Sequence, residues 1–461
     1  VDGKKPMLEK DNTNGKILYG QETRKALENF GPGEMPPEFI RALAEAKLAV
    51  LHGQQQELSL LSEESYSAVE KALEQIIQGN HDRQFPLSPR QGGAGTSFHM
   101  NLLEVVSNLS KEINPEVQLD PWDDLNQGQS TNDLVPTAIT IMALREVDRV
   151  ERRVTELQEC FTELENRYQG VLMVGRTQLQ DALPITLGQL FGSYAGAIAR
   201  DRWRLHKVRE RFRTIALGGG ALGTSHQIDQ RVIFAAEKNL RELTKLPLSR
   251  SQNLMDEISN SDKYAELSGA YQRLSETMVK ISSDLIFYAS SPVQEIPHPE
   301  LQFGSTLMPF KSNPVILEYV KGQALAVQGE AMKVSLYAQN AQLQLNPWLI
   351  FLAEPLLNQS RTLVQTVDCW INRYLDRIAP SEQSLESGLW KSQAIFNALR
   401  SRLTYSKLKD AYRFWQELES KDPESLRVFL EIKPEHWKQW LGPGELVRGK
   451  PQPKSLTKTG E

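Results

Sequence analysis

The sequence predicts an all-α protein organised around an elongated bundle of long helices, and three observations carry that prediction. Proline removes a helix hydrogen bond and collides with the preceding turn, yet none occurs from Thr137 to Leu183, Ile185 to Leu246, Leu248 to Ser291 or Val315 to Asn346. Inside the first of these stretches Val147, Val150, Val154, Leu157, Phe161, Leu164 and Tyr168 recur at alternating spacings of three and four. That period of about 3.5 places them on one stripe of a helix, the seam of a bundle. Finally, the apolar alternation with period two that marks strands is scarcely seen.

Each element follows in order. The region before Gly128 mixes helical patterns with turn-rich pieces such as Gly31-Pro32-Gly33 and Pro89-Arg90-Gln91-Gly92-Gly93, and is expected to form a mostly helical N-terminal domain, 1–128. A helix from Ala138 to Tyr168 would run about 45 Å, with Arg145, Glu146, Arg149, Glu151, Arg152 and Glu156 turned to water. It opens the expected central bundle domain, 129–382. Beyond Pro380 the patterns shorten and end near Trp440, giving a small C-terminal helical domain, 383–461. There Tyr412, Phe414, Trp415, Trp437 and Trp440 are expected in its core, and the Gly-, Pro- and Lys-rich stretch from Pro443 to Glu461 is expected to be a mobile tail. At about 150 residues per domain, 461 residues are enough for three.

Composition removes whole classes of function. With 53 Lys plus Arg against 58 Asp plus Glu, the net charge of −5 argues against a chain that coats nucleic acid or an anionic membrane. A hydrophobic fraction of 40% excludes wholesale disorder. No apolar run approaches the roughly 18 residues of a membrane span, and the polar segment Val1 to Lys16 lacks the apolar core of a secretory signal. Cys160 and Cys369 stand far apart, and the seven histidines form no ligand pair. Neither a disulfide framework nor a metal site is expected, and the default compartment is the cytoplasm.

Two patterns have bland readings. Gly218-Gly219-Gly220-Ala221-Leu222-Gly223 fits the glycine fingerprint of dinucleotide sites. With helical sequence expected on both sides and no strand before it, it is read as a glycine-permitted break or a close backbone contact. Arg200 to Arg213 carries seven Lys or Arg against two acids and is read as a solvated or intersubunit helix face whose arginines pair with acids elsewhere.

The segment from Gly304 to Pro314 (GSTLMPFKSNP) is the densest polar, glycine-bearing stretch of the chain. Gly304, Pro309 and Pro314 keep it from being one regular helix. Lys311 offers a point charge and Asn313 a directional donor, a combination suited to a carboxylate, while Ser305 and Thr306 can act at its reacting end. This segment resembles the signature loop of the fumarase/aspartase superfamily, G-S-S-x-M-P-x-K-x-N-P, with Thr306 replacing the second serine. Four further segments are similar to the family's own: Gly20 to Phe30; Gly93 to Asn101 (GAGTSFHMN), in its aspartase form; Gln129-Ser130-Thr131-Asn132-Asp133; and Gly175 to Ala182 (GRTQLQDA). Gln342 to Asn346 is aspartase-like as well.

The resemblance implies an all-α, three-domain subunit, a homotetramer with a bundle core, and active sites each assembled from three subunits. It implies elimination from a succinyl-type substrate, a small dicarboxylate or amino acid, to give fumarate, with no cofactor. Ser305 would be the base that removes a carbon-bound proton. Thr96, Ser130, Thr131 and Thr306 would hold the carboxylate that becomes an enediolate, where preorganised donors act best. Lys311, Asn313 and Thr177 would fix the other carboxylate, Asn132 and Gln178 would complete the binding set, and Met308 and Glu318 would support it. Gln178 stands where the family has a histidine, and glutamine cannot shuttle a proton. His99 and Leu103 replace family asparagines. Either the leaving group needs no acid from position 178, as with an already protonated amine, or the substrate differs from aspartate and malate; the changes at His99 and Leu103 point the same way or are packing. The expected activity is an ammonia-lyase on aspartate or a related substituted succinate; the alternatives are a fumarate hydratase, a diverged lyase on another succinyl substrate, and a non-catalytic scaffold.

Overall fold

Seventeen α-helices and two small sheets make up the computed structural model, which describes residues 16–419 and 421–447. The segment 1–15 and residues 448–461 of the expected mobile tail lie outside those residues. Helices α1 (Gln21–Phe30), α2 (Pro37–Leu58), α3 (Glu63–Ile77) and α4 (Thr96–Ile113) precede the long helix α5 (Thr131–Arg167). A hairpin of β1 (Leu172–Thr177) and β2 (Gln180–Thr186) leads into α6 (Leu187–Phe212). Then come β3 (Thr214–Ile215), α7 (Gln230–Thr244), β4 (Ser249–Arg250), α8 (Leu254–Ser259), α9 (Asp262–Ala289), α10 (Val315–Ala338) and α11 (Ala353–Arg373). Six shorter helices close the chain: α12 (Glu382–Lys391), α13 (Ala394–Leu399), α14 (Tyr405–Glu417), α15 (Pro423–Phe429), α16 (Pro434–Leu441) and α17 (Pro443–Leu446).

The chain divides into two compact units. One comprises 1–148, 207–269 and 329–359; the other comprises 149–206, 270–328 and 360–461. In the first, α2 packs on α7 and α3, and α1 on α4. Strands β3 and β4 pair in parallel.

In the second unit the expected seam is the core. Val150, Val154, Leu157, Phe161 and Leu164 are all buried, and the Phe161 ring meets Trp370 and Tyr194 edge-on at 5.7 Å. Such offset aromatic contacts add to the area they bury. A second cluster gathers Trp415 and Trp437 with Leu389, Phe396 and Leu426, and Tyr412, Phe414 and Trp440 pack against it. Of the C-terminal aromatics, Trp415 and Trp437 are therefore core, as expected, while Tyr412, Phe414 and Trp440 are partly buried at its edge.

The structure corrects several details. The helix expected from Ala138 begins at Thr131 and holds Pro136 inside it. At the sixth residue of a 37-residue helix, the proline costs one hydrogen bond that the remaining turns readily outweigh. Glu146, expected in water, is buried, and Arg145 is half-buried where it grips Glu45 through two bonds of 2.8 and 2.7 Å. The β1–β2 hairpin was not expected. The glycine-rich segment follows the two-residue strand β3 and sits in a loop rather than between helices. The tail begins with α17, where Glu445 pairs with Arg402 at 2.8 Å.

The arginine-rich end of α6 follows its bland reading. Arg204 pairs with Asp201, Arg209 with Asp148 at 2.6 Å, and Arg211 with Glu266, which leaves little free charge for nucleic acid.

Candidate active site

In the first unit two helix starts converge. Gly93, Ala94 and Gly95 all have positive φ (95°, 52° and 91°), so the chain turns sharply into α4 at Thr96. A Cβ on Gly95 would stand 2.9 Å from Val135 Cγ2. Only glycine lets the start of α4 approach the first turns of α5 this closely. The N–H groups of Thr96, Phe98 and His99 bond back to the Gly93 and Gly95 carbonyls, so what the two helix starts bring together is the positive ends of their dipoles, which favour an anion.

Ser130, Thr131 and Asn132 form the entry to α5. Ser130 Oγ accepts from the Asn132 N–H at 3.2 Å, and the Ser130 N–H donates to Asp133 Oδ1 at 3.3 Å. The glycine-rich loop holds this entry from outside: the Gly220 N–H donates to Asp133 Oδ2 at 2.9 Å, and Asn132 Nδ2 donates to the Ala221 carbonyl at 2.9 Å. The close backbone contact expected of that loop is thus made with the candidate site itself. His99, in the first turn of α4, joins the two helices, its Nδ1 lying 3.1 Å from Thr131 Oγ1.

Behind these residues lies a buried polar layer that the sequence did not reveal. Lys47, in the apolar stretch of α2, donates to the Leu125 carbonyl and to Gln129 Oε1, the latter at 2.8 Å. Burial pulls the Lys47 ammonium down to about 7, against the attraction of Asp133. Burial likewise pushes Asp133 up to about 6, opposed by backbone N–H groups led by that of Gly220. His99 is pulled down to about 3, first by burial and then by the charge of Lys47. Near neutrality its ring is uncharged. The one available signal was Lys47 itself, a lone cation in the run Ala46-Lys47-Leu48-Ala49-Val50. Leu103, the other departure in this segment, is fully buried packing.

In the second unit, Thr177 and Gln178 sit at the exposed tip of the β1–β2 hairpin. Gln178 and Leu179 both have positive φ (52° and 62°), the conformation of a type I′ turn made without asparagine or glycine. Strain of this kind collects at functional sites. Arg176, at the base of the tip, is fixed to Glu295 by bonds of 2.8 and 2.7 Å and to Asp181 by one of 3.0 Å.

The loop from Gly304 to Pro314 holds Ser305, Thr306, Met308, Lys311 and Asn313 together, and Glu318 follows in the first turn of α10. Its neck is closed by Asn313 Nδ2 donating to the Gly304 carbonyl at 2.6 Å. A Cβ on Gly304 would fall 2.2 Å from the Lys311 carbonyl oxygen, so the neck requires glycine. Ser305 Oγ accepts from two backbone N–H groups, Leu307 at 3.2 Å and Met308 at 3.0 Å. Donors so placed stabilise negative charge on that oxygen. Lys311 is exposed and forms no ion pair among the described residues. Phe303, Leu307 and Phe310 are 93%, 85% and 100% exposed, an apolar surface that water alone does not favour. Among the described residues, no group of His, Cys, Asp and Glu side chains is arranged to hold a metal.

Comparison with known proteins follows the same lines. The family described as Lyase matches residues 16–329. An aspartate ammonia-lyase of Helicobacter pylori (strain ATCC 700392 / 26695) is 33% identical over 85% of this chain and 86% of its own. A class II fumarate hydratase of Myxococcus xanthus is 29% identical over 93% and 94%. Among solved structures, a fumarate lyase:delta crystallin from Brucella melitensis superposes with a TM-score of 0.83 at 31% identity, covering 90% of this chain and 95% of that one.

Proposed function

Because the chain belongs to the fumarase/aspartase superfamily of lyases, we propose that it eliminates an amine, ammonia in the simplest case, from aspartate or a closely related substituted succinate to give fumarate. The observation that carries this reading is Ser305, whose Oγ faces two backbone donors within a loop that also bears Lys311 and Asn313. As an alkoxide, Ser305 takes a proton from the carbon beside one carboxylate. The electron pair left behind spreads into that carboxylate as an enediolate, which Thr96, Ser130, Thr131 and Thr306 stabilise through hydroxyl donors. The pair then forms the carbon–carbon double bond while the C–N bond breaks.

The leaving nitrogen departs as neutral ammonia from a substrate ammonium group and needs no added proton. That suits Gln178, which has none to give. Lys311, Asn313 and Thr177 hold the second carboxylate so that the amine lies opposite the departing proton. Asn132 and Gln178 complete the binding set, with Met308 and Glu318 supporting the loop. A hydratase reading is favoured by the relative from Myxococcus xanthus, but hydroxide leaves poorly without an acid at position 178. A scaffold has no use for Ser305, Lys311 and Asn313.

The working form is a homotetramer in which each site draws on three subunits. The exposed Phe303, Leu307 and Phe310, and the exposed Tyr319, Leu325, Met332 and Leu336 along α10, support it, since such surface is normally covered. The three-part division 1–128, 129–382 and 383–461 belongs to the same proposal. Among the described residues no helix is long and apolar enough to cross a membrane. The free thiols of Cys160 and Cys369 support a cytoplasmic setting.

The test is the ultraviolet absorbance of fumarate when protein meets aspartate, then malate, with the product verified by mass spectrometry. Fumarate from aspartate alone, lost in a folded Ser305→Ala tetramer, is expected. Fumarate from malate alone would move the assignment to a hydratase, and near-wild-type turnover of Ser305→Ala would remove the base assignment.

A further inference from the structure

We propose that His99 is a positioning residue that sets the direction of the Thr131 hydroxyl, so that Thr131 donates to the substrate carboxylate. The inference rests on the reading of Thr131 as a carboxylate ligand and goes beyond it, because it concerns a side chain that never meets substrate.

The argument is one of donors and acceptors. A neutral imidazole has one N–H and one bare nitrogen. His99 is 2% exposed, its Nδ1 lies 3.1 Å from Thr131 Oγ1, and its Nε2 has no hydrogen-bond partner among the described residues. A hydrogen on Nε2 would be a buried donor with nothing to meet, an arrangement that folded proteins rarely tolerate. Placed on Nδ1, the same hydrogen is bonded to Thr131 Oγ1. The ring is therefore the donor and the threonine oxygen the acceptor.

That choice fixes the threonine. Thr131 is the first residue of α5, so no preceding helical turn offers a carbonyl to its hydroxyl. With its oxygen accepting from His99, the Thr131 hydroxyl keeps its own hydrogen for an acceptor other than the ring. It can then donate to an anion bound at the helix start. In the opposite tautomer Thr131 would donate into the ring and turn only lone pairs toward a carboxylate, a repulsive arrangement. An asparagine amide at position 99 could supply the same directed N–H from the place of Nδ1, whereas glutamine reaches the place of Nε2 and phenylalanine supplies neither.

Two readouts test this independently. In protein with ¹⁵N-labelled histidine, the ring signal lost in His99→Asn identifies His99, and its shifts are expected to show hydrogen on Nδ1; hydrogen on Nε2 overturns the proposal whatever the activity. In steady-state kinetics His99→Asn is expected to stay within about threefold of wild type. His99→Phe, and His99→Gln should the former fold poorly, are expected to lose about 10- to 100-fold, the scale of one hydrogen bond to a charged group. The loss falls on kcat rather than KM, because the carboxylate carries more charge in the transition state. Thr131→Val is expected to lose as much, and the double variant no more than either single one. Full activity of His99→Phe, or losses that multiply in the double variant, would overturn the proposal. A wild-type protein that yields fumarate from no succinyl substrate would sink the functional reading instead, leaving the ring signal to decide the role of His99.

Discussion

Arg176 and Glu295, 119 residues apart in the chain, face each other through two parallel hydrogen bonds. The carboxylate is almost wholly buried, and the guanidinium lies 5.5 Å from the Phe287 ring centre and 6.0 Å from that of Tyr288. A fork of this kind fixes both partners, which a lysine's single ammonium cannot do. Its consequence falls on the hairpin tip, since Arg176 immediately precedes Thr177 and Gln178.

Glu295→Gln removes the buried counter-charge of the half-buried Arg176 and leaves it only the more exposed Asp181. The expected cost is about 2 kcal/mol, below that of a fully stranded buried charge because Asp181 still pairs with the guanidinium. Chemical denaturation followed by tryptophan fluorescence measures it. Activity is expected to fall alongside through a raised KM, as the hairpin loses its anchor; a variant with wild-type stability and KM would refute this.

Glu104 stabilises a helix to which it does not belong. Its carboxylate accepts from the N–H groups of Gly20, Glu22 and Thr23 at 2.8, 2.7 and 3.2 Å, and from the Thr23 hydroxyl at 2.6 Å, thereby capping α1 from α4. Glu104→Gln turns an amide N–H₂ or a weaker acceptor toward those donors. A loss of about 1–3 kcal/mol is expected, and hydrogen exchange should rise selectively in residues 20–30. Uniform exchange across the chain would show that the cap is not local.

Leu179 is 71% exposed and holds positive φ. Leu179→Gly removes that strain and should stabilise the hairpin by about 0.5–1 kcal/mol. Because the change also loosens the position of Gln178, turnover is expected to fall as stability rises. Thermal melts and initial rates on the same preparation check both signs.

His99 makes stability pH-dependent with a definite sign. The unfolded chain binds a proton near the ordinary histidine value of 6.5, whereas burial and Lys47 delay binding in the folded chain until about 3. Stability is therefore lost as pH falls through that window, on the order of 4 kcal/mol in all. Asp133, pushed up from 3.8 to about 6, acts oppositely, favouring the fold as pH falls from about 6 to 3.8. Denaturation midpoints of wild type and His99→Asn at pH 7 and pH 4 isolate the histidine. The variant should lose less stability between the two, and equal losses would exclude the effect.

How much of this was legible in the sequence depends on distance along the chain. The seam from Val147 to Leu164 was, because a helix writes its buried face as a period. The Gly304 to Pro314 loop was as well, since its chemistry lies within eleven neighbouring residues. The hairpin was not: its turn is Gln178-Leu179, without the asparagine or glycine that signals one, and its ladder shifts register between Val174 and Arg176. Nor was the start of α5, because Pro136 reads as a boundary although several turns support the helix on its far side. The polar layer was hidden for another reason. Lys47 and Asp133, or His99 and Thr131, meet only after helices distant in the chain have packed, and no local pattern records such a meeting.

The neck of the Ser305 loop has a genetic consequence. Every single-base change in a glycine codon that alters the residue either adds a Cβ or stops translation. At Gly304 that atom would arrive against the Lys311 carbonyl. All missense alleles there push on the same peptide group, whatever the chemistry of the new side chain. Inactive alleles at this codon would therefore arise without altering any group assigned to meet substrate, and a suppressor would have to act on the backbone around Lys311.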